Sequence, residues 1–142
     1  VAYQQAVRFG RAMAEHDWFV VTGASAGIME AGHRGAGRAH SMGLNIMLPF
    51  EQEANPVIAG DTKLVHMKYF FTRKLMLIKE SQGFVCMPGG FGTLDETFEL
   101  LTLIQTGKIR NFPIVLMGVD YWAPMLDFMR DTIMGFRIIQ YH

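Results

Sequence analysis

Two short apolar runs each lead directly into a glycine-rich turn, and this arrangement constrains the fold more than any other feature of the chain. Trp18-Phe-Val-Val-Thr22 is followed by Gly23-Ala-Ser-Ala-Gly27, and Gly83-Phe-Val-Cys-Met87 by Pro88-Gly-Gly-Phe-Gly92. Apolar runs of four to eight residues bounded by turn signals read as strands buried on both faces, which is the environment of a parallel sheet. Helical patterns alternate with them. Tyr3, Ala6, Val7, Gly10, Met13 and Ala14 fall on one helix face. Further helices are expected from Ile28 to about Met42, over 71–82, from Thr93 to Thr106 and from Tyr121 to Ile133. Further strands are expected over 44–50, 63–70 and 113–119, with a loop over 51–62. Strand–helix alternation of this kind specifies an α/β fold, a Rossmann-like doubly wound parallel sheet.

Residues 1–142 are read as a single nucleotide-binding α/β domain. With 50% apolar and 18% charged residues the chain is too hydrophobic for disorder. A doubly wound sheet ordinarily begins with a strand, whereas this chain opens with a helix whose apolar face needs a sheet beneath it. The expectation is that an earlier strand, lying between strands 18–22 and 83–87, belongs to a longer polypeptide.

Several functions are disfavoured at once. Thirteen basic residues balance thirteen acidic ones, so no basic footprint for nucleic acid stands out. Trp18–Met29, an uncharged run of 12 residues, is too short to span a bilayer, and no signal peptide is visible, so a cytoplasmic protein without membrane contact is expected. The single Cys86 cannot form an internal disulfide and fits a reducing compartment. His16, His33, His40, His66 and His142 lack ligand spacing, so no metal site is expected.

In a doubly wound sheet, ligands bind at the C-terminal ends of the strands, where both glycine turns fall. Gly89, Gly90 and Gly92 allow close backbone approach, and the helix expected at Thr93 would aim free N–H groups at a bound phosphate. Glu96, expected in the first turn, has two readings. Thr93-Leu-Asp-Glu96 has the T-x-x-E form of a capping box, which would make Glu96 structural. A carboxylate beside a phosphate is electrostatically unwelcome, which would make it chemical. Arg73 and Lys74, in Phe70-Phe-Thr-Arg-Lys74 at a helix start, are either phosphate or ribose ligands or a solvated pair. The first turn resembles the TGxxxGIG turn of short-chain dehydrogenases, but Met29 replaces the third glycine, and Tyr69 is followed by Arg73 where those enzymes carry YxxxK.

Taken together, Pro88-Gly-Gly-Phe-Gly-Thr-Leu-Asp-Glu96, Phe70-Phe-Thr-Arg-Lys74 and Thr22-Gly-Ala-Ser-Ala-Gly-Ile-Met-Glu30 resemble the LONELY GUY family of cytokinin riboside 5′-monophosphate phosphoribohydrolases, proteins often labelled lysine decarboxylases. The resemblance runs from the first helix to about Met117. It implies that Glu96 and Arg73 are catalytic, that Gly89, Gly90, Gly92 and Thr93 bind phosphate, that Gly23 and Gly27 line the nucleotide pocket, and that Lys74 belongs to the substrate-binding set. Ala24 and Ser25 stand where the family usually has glycines. It also implies a nucleoside monophosphate substrate, no cofactor, and a homodimer whose neighbouring subunit helps complete the site. Pyridoxal chemistry needs a lysine, and none of Lys63, Lys68, Lys74, Lys79 and Lys108 has a recognisable cofactor context. Two other readings stay open: a nucleotide-binding protein without catalysis, and an NAD(P)-dependent oxidoreductase binding at Gly23–Gly27.

Overall fold

A computed structural model describes residues 1–46, 53–109 and 113–135. The chain divides into two compact units, Val1–Glu80 and Ser81–His142. Both are α/β with parallel strands, consistent with a Rossmann-like fold.

The first unit contains α1 (Ala2–Glu15), β1 (Val20–Thr22), α2 (Ile28–Ala36), a 3-10 turn (Arg38–His40), β2 (Ser41–Ile46), β3 (Leu64–Met67) and α3 (Phe70–Glu80). Its sheet has the order β1-β2-β3, with Val20 beside Ser41, Thr22 beside Gly43 and Ile46 beside Met67. All pairs are parallel, as the apolar strand runs imply. The apolar face of α1 was expected to lie on a sheet. Its buried positions are Ala6 and Gly10, and Gly10 meets the α2 backbone. The two helices approach so closely that a Cβ on Gly10 would strike the Gly32 carbonyl, and one on Gly35 would strike the Val7 carbonyl.

These contacts explain a difference from the sequence expectation. Gly32, Gly35 and Gly37 all looked like interruptions in a helix reaching Met42. Gly32 and Gly35 are contact points within α2, and only Gly37, at φ +79°, ends the helix. The chain is therefore freed early, and β2 begins at Ser41 rather than 44. The expected strand over 63–70 is shorter, because Phe70 already starts α3. Residues 47–50 of the strand expected over 44–50 lie outside the described residues.

The second unit contains β4 (Phe84–Cys86), α4 (Phe91–Gln105), β5 (Ile114–Leu116) and α5 (Val119–Phe128), continued as a π-helical segment to Met134. β4 and β5 run parallel, with Cys86 beside Leu116. Thr97, Leu100 and Trp122 are its most deeply buried side chains. No helix among the described residues is long and apolar enough to cross a membrane.

Candidate active site

The first glycine turn leaves β1 and enters α2 at Gly27, which precedes the helix with φ +76°. Within the turn Ala24 holds φ +65° and is fully buried. An L-residue with a Cβ is disfavoured in this left-handed region by about 1 kcal/mol or more, so a glycine-like conformation persists here despite the side chain. Surrounding hydrogen bonds hold it. The Ala24 N–H donates to Thr22 Oγ1 at 2.9 Å, and the Ala24 carbonyl accepts from the Asn55 N–H at 2.8 Å. Asn55 Nδ2 donates to the Ser25 carbonyl and to His33 Nδ1, both at 3.2 Å, and Asn55 Oδ1 accepts from the Val57 N–H. His33 Nε2 in turn donates to the Met42 carbonyl at 2.9 Å, with Thr22 Oγ1 3.1 Å away. Burial pushes the His33 imidazole below its ordinary pKa, which keeps it neutral so that Nδ1 accepts. Sequence reasoning left His33 among the scattered histidines and missed Asn55. Isolated polar residues carry no periodic signal, and only the fold reveals what they fasten.

Arg73, near the start of α3, reaches this turn. A Cβ built on Gly23 would lie 3.1 Å from Arg73 Nη1 and 3.2 Å from Met29 Sδ, so the guanidinium packs closely against the bare backbone at 23. The guanidinium also lies over the Phe70 ring, 5.1 Å from its centre. Gly23, Met29 and Arg73 are thus brought together within the first unit. Lys74 follows Arg73 on α3, and Gly27 closes the turn.

The second unit carries the other glycine loop. Here α4 starts at Phe91, two residues before the expected Thr93, with Gly90 as the flanking residue and no side chain capping the end. Thr93 is therefore the third helical residue and not the cap, and Glu96 sits in the second turn and not the first. The capping-box reading of Thr93 and Glu96 is overturned for this reason: glycines at 90 and 92 let the helix begin inside the loop. The first helical hydrogen bond runs from the Leu94 N–H to the Gly90 carbonyl at 3.2 Å. The amides of the preceding turn then face outward, and the positive end of the helix dipole lies with them. Cβ atoms added at Gly90 or Gly92 would meet no atom within 4 Å, so the loop is open there. At Gly89 a Cβ would collide with the Thr93 hydroxyl, so that position must be glycine for the loop to close on the helix. The Tyr121 hydroxyl fixes the loop by donating to the Gly89 carbonyl at 2.6 Å. This contact too was illegible in the sequence, since Tyr121 lies 32 positions away on α5.

Beneath the loop, Thr97 Oγ1 donates to the Thr93 carbonyl at 2.7 Å, and Cys86 is buried. Burial pushes the Cys86 thiol up, against a smaller lowering by the Thr97 hydroxyl. A thiol held protonated in the core is a poor nucleophile. Among the described residues no three His, Cys, Asp or Glu side chains converge as a metal site would require.

A family model described as possible lysine decarboxylase matches residues 24–140. The Arabidopsis thaliana cytokinin riboside 5′-monophosphate phosphoribohydrolase LOG7 is 32% identical over 139 residues, covering 93% of this chain and 62% of its own length. The chain belongs to the LONELY GUY family. The Oryza sativa subsp. japonica cytokinin riboside 5′-monophosphate phosphoribohydrolase LOG is 31% identical over 135 residues, with 90% of this chain and 54% of that protein covered. The probable phosphoribohydrolase LOGL2 of the same plant is 33% identical over 119 residues, with 80% and 47% covered. The chain spans about half the length of the curated LONELY GUY relatives it matches.

Proposed function

We propose that this LONELY GUY chain serves a phosphoribohydrolase that cleaves the N-glycosidic bond of a purine nucleoside 5′-monophosphate, giving free base and ribose 5-phosphate. The observation that carries the reading is the open, uncapped start of α4 behind Gly89, Gly90 and Gly92. Outward-facing amides at a helix N-terminus suit a phosphate dianion. The names of the relatives supply the reaction class.

The chemistry follows from the bond. Cleavage passes through a ribose with oxocarbenium character, which a carboxylate can stabilise or relieve by activating water. Glu96 takes that role. Arg73 contacts a ribose hydroxyl or a phosphate oxygen, where a planar guanidinium offers paired donors. Thr93 adds a hydroxyl to the phosphate loop, and Lys74 adds positive charge on the substrate side. Gly23 and Gly27 shape the wall of the nucleotide pocket. The phosphate is a remote handle, so that its binding energy fixes the sugar in a reactive pose. The protein acts as a homodimer in this reading, which sedimentation at working concentration tests.

Incubation with a panel of nucleoside 5′-monophosphates, followed by chromatography of released base and ribose 5-phosphate, tests the reading. Base release supports it, and binding without release marks a non-catalytic nucleotide-binding protein. Gly90→Val gives a sharper prediction. The added side chain meets open space, so the circular dichroism spectrum stays that of the parent. It also occupies the phosphate approach. Loss of charge-assisted hydrogen bonds worth about 1.5–3 kcal/mol predicts a KM for the monophosphate roughly 10–100-fold higher. An unchanged KM would place the phosphate elsewhere.

A further inference from the structure

The left-handed backbone at Ala24 persists against its own preference, and Asn55 holds the turn through both its backbone and its side chain. Asn55 grips the turn at two successive carbonyls, through its N–H to Ala24 and its Nδ2 to Ser25. It is anchored from behind by His33 Nδ1, and its own Oδ1 is held by the Val57 N–H. Asn55 and His33 are both almost wholly buried. At Gly23 of the same turn the Arg73 guanidinium lies close to the backbone. A buried amide with its donors and acceptor engaged therefore holds the same strained turn against which the Arg73 guanidinium packs.

We propose that Asn55 is a positioning residue for nucleotide hydrolysis, fixing turn 23–25 so that Arg73 is held in its working place. The inference rests on the reading of Arg73 given under Proposed function. Asparagine suits the task because only a neutral amide can donate to a carbonyl and to an imidazole nitrogen while accepting from a backbone amide. The groups hydrogen-bonded to the His33 ring are likewise neutral: the Thr22 hydroxyl on β1, the Met42 carbonyl on β2 and Asn55 itself. α1 meets the α2 backbone through the main chain at Val7, Gly10 and Arg11. The clamp is therefore built on hydrogen-bond geometry rather than on charge pairing.

Asn55→Ala removes the grip on Ser25 and His33 while leaving the backbone bond to Ala24. A misplacement of the order of 1 Å costs up to about 10²-fold in rate, so kcat/KM for a nucleoside monophosphate should fall roughly 10–100-fold. A general loss of folding would do the same, so the deciding experiment is a double-mutant cycle with Arg73→Ala, each variant assayed at a temperature where its circular dichroism is native. If Asn55 acts through Arg73, then Asn55→Ala costs less than about threefold once Arg73 is gone. Independent losses that multiply would overturn the proposal, as would wild-type kcat/KM in the single variant. If Asn55→Ala fails to fold, Asn55→Asp retains the bond to the Val57 N–H and serves in the same cycle with the same two outcomes. Failure of the parent protein to release base from any nucleoside monophosphate would instead overturn the hydrolase reading on which the inference rests.

Discussion

Replacing Glu96 by Gln is expected to lower turnover of a nucleoside 5′-monophosphate by roughly 10²–10⁴, the range for removing a positioned acid–base group. The substitution keeps the size of the side chain and nearly the same helix propensity. Its interpretation depends on where α4 begins. Had Thr93 been the cap, loss of the Glu96 carboxylate would also have weakened the helix start. With Gly90 flanking the helix and no side-chain cap, Glu96 is one turn further in. Its carboxylate is then separable from the capping of α4. The expected result is a variant with a parental melting curve and a greatly reduced release of base. Parental turnover would leave Glu96 with a structural role only.

Gly10→Ala is expected to destabilise the first unit by about 3 kcal/mol, the upper part of the range for overpacking a closed contact. The sign is opposite to the usual one. In a solvent-facing helix, glycine to alanine gains up to about 1 kcal/mol. At Gly10 the new methyl would meet the Gly32 carbonyl and lie 2.8 Å from the Ala36 N–H nitrogen. Backbone cannot swing aside as a side chain can, so the two helices must part. A loss of this size is a large share of the 5–15 kcal/mol that holds a typical domain together. Urea titration followed by circular dichroism reads it directly. Gly37→Ala is the comparison, since its Cβ meets nothing and only the φ of +79° resists it. That variant should lose about 1–3 kcal/mol, since φ +79° with ψ 160° is a conformation nearly reserved for glycine.

The fold was legible wherever apolar runs met glycine turns. The strands leading into the two turns and the α/β class follow from that pattern alone, because a parallel sheet leaves its strands no polar face. Glycines were harder to read than strands. Gly32 and Gly35 break helix propensity, yet here they sit within α2, because close packing on α1 compensates for what the isolated helix loses. The site was legible as a set of residue types, since phosphate loops need glycine and a helix start. The start of α4 was misplaced because Thr93 with Glu96 imitates a capping box, whereas the glycines at 90 and 92 permit an earlier beginning. Asn55, His33 and Tyr121 were invisible for a different reason. Each acts by one or two hydrogen bonds to a distant carbonyl, and hydrogen bonds between distant residues leave no periodic trace.

The central claim is that a phosphate, held at the start of α4, is the handle by which an N-glycosidic bond is broken. The most direct measurement compares kcat/KM for AMP and for adenosine, with released adenine and ribose 5-phosphate quantified separately. The account predicts efficient release from AMP and a kcat/KM for adenosine lower by roughly 10²-fold or more, since a remote group supplies binding energy that the reaction uses. Comparable values for the two substrates, or no base released from AMP or any other purine nucleoside monophosphate, would contradict it.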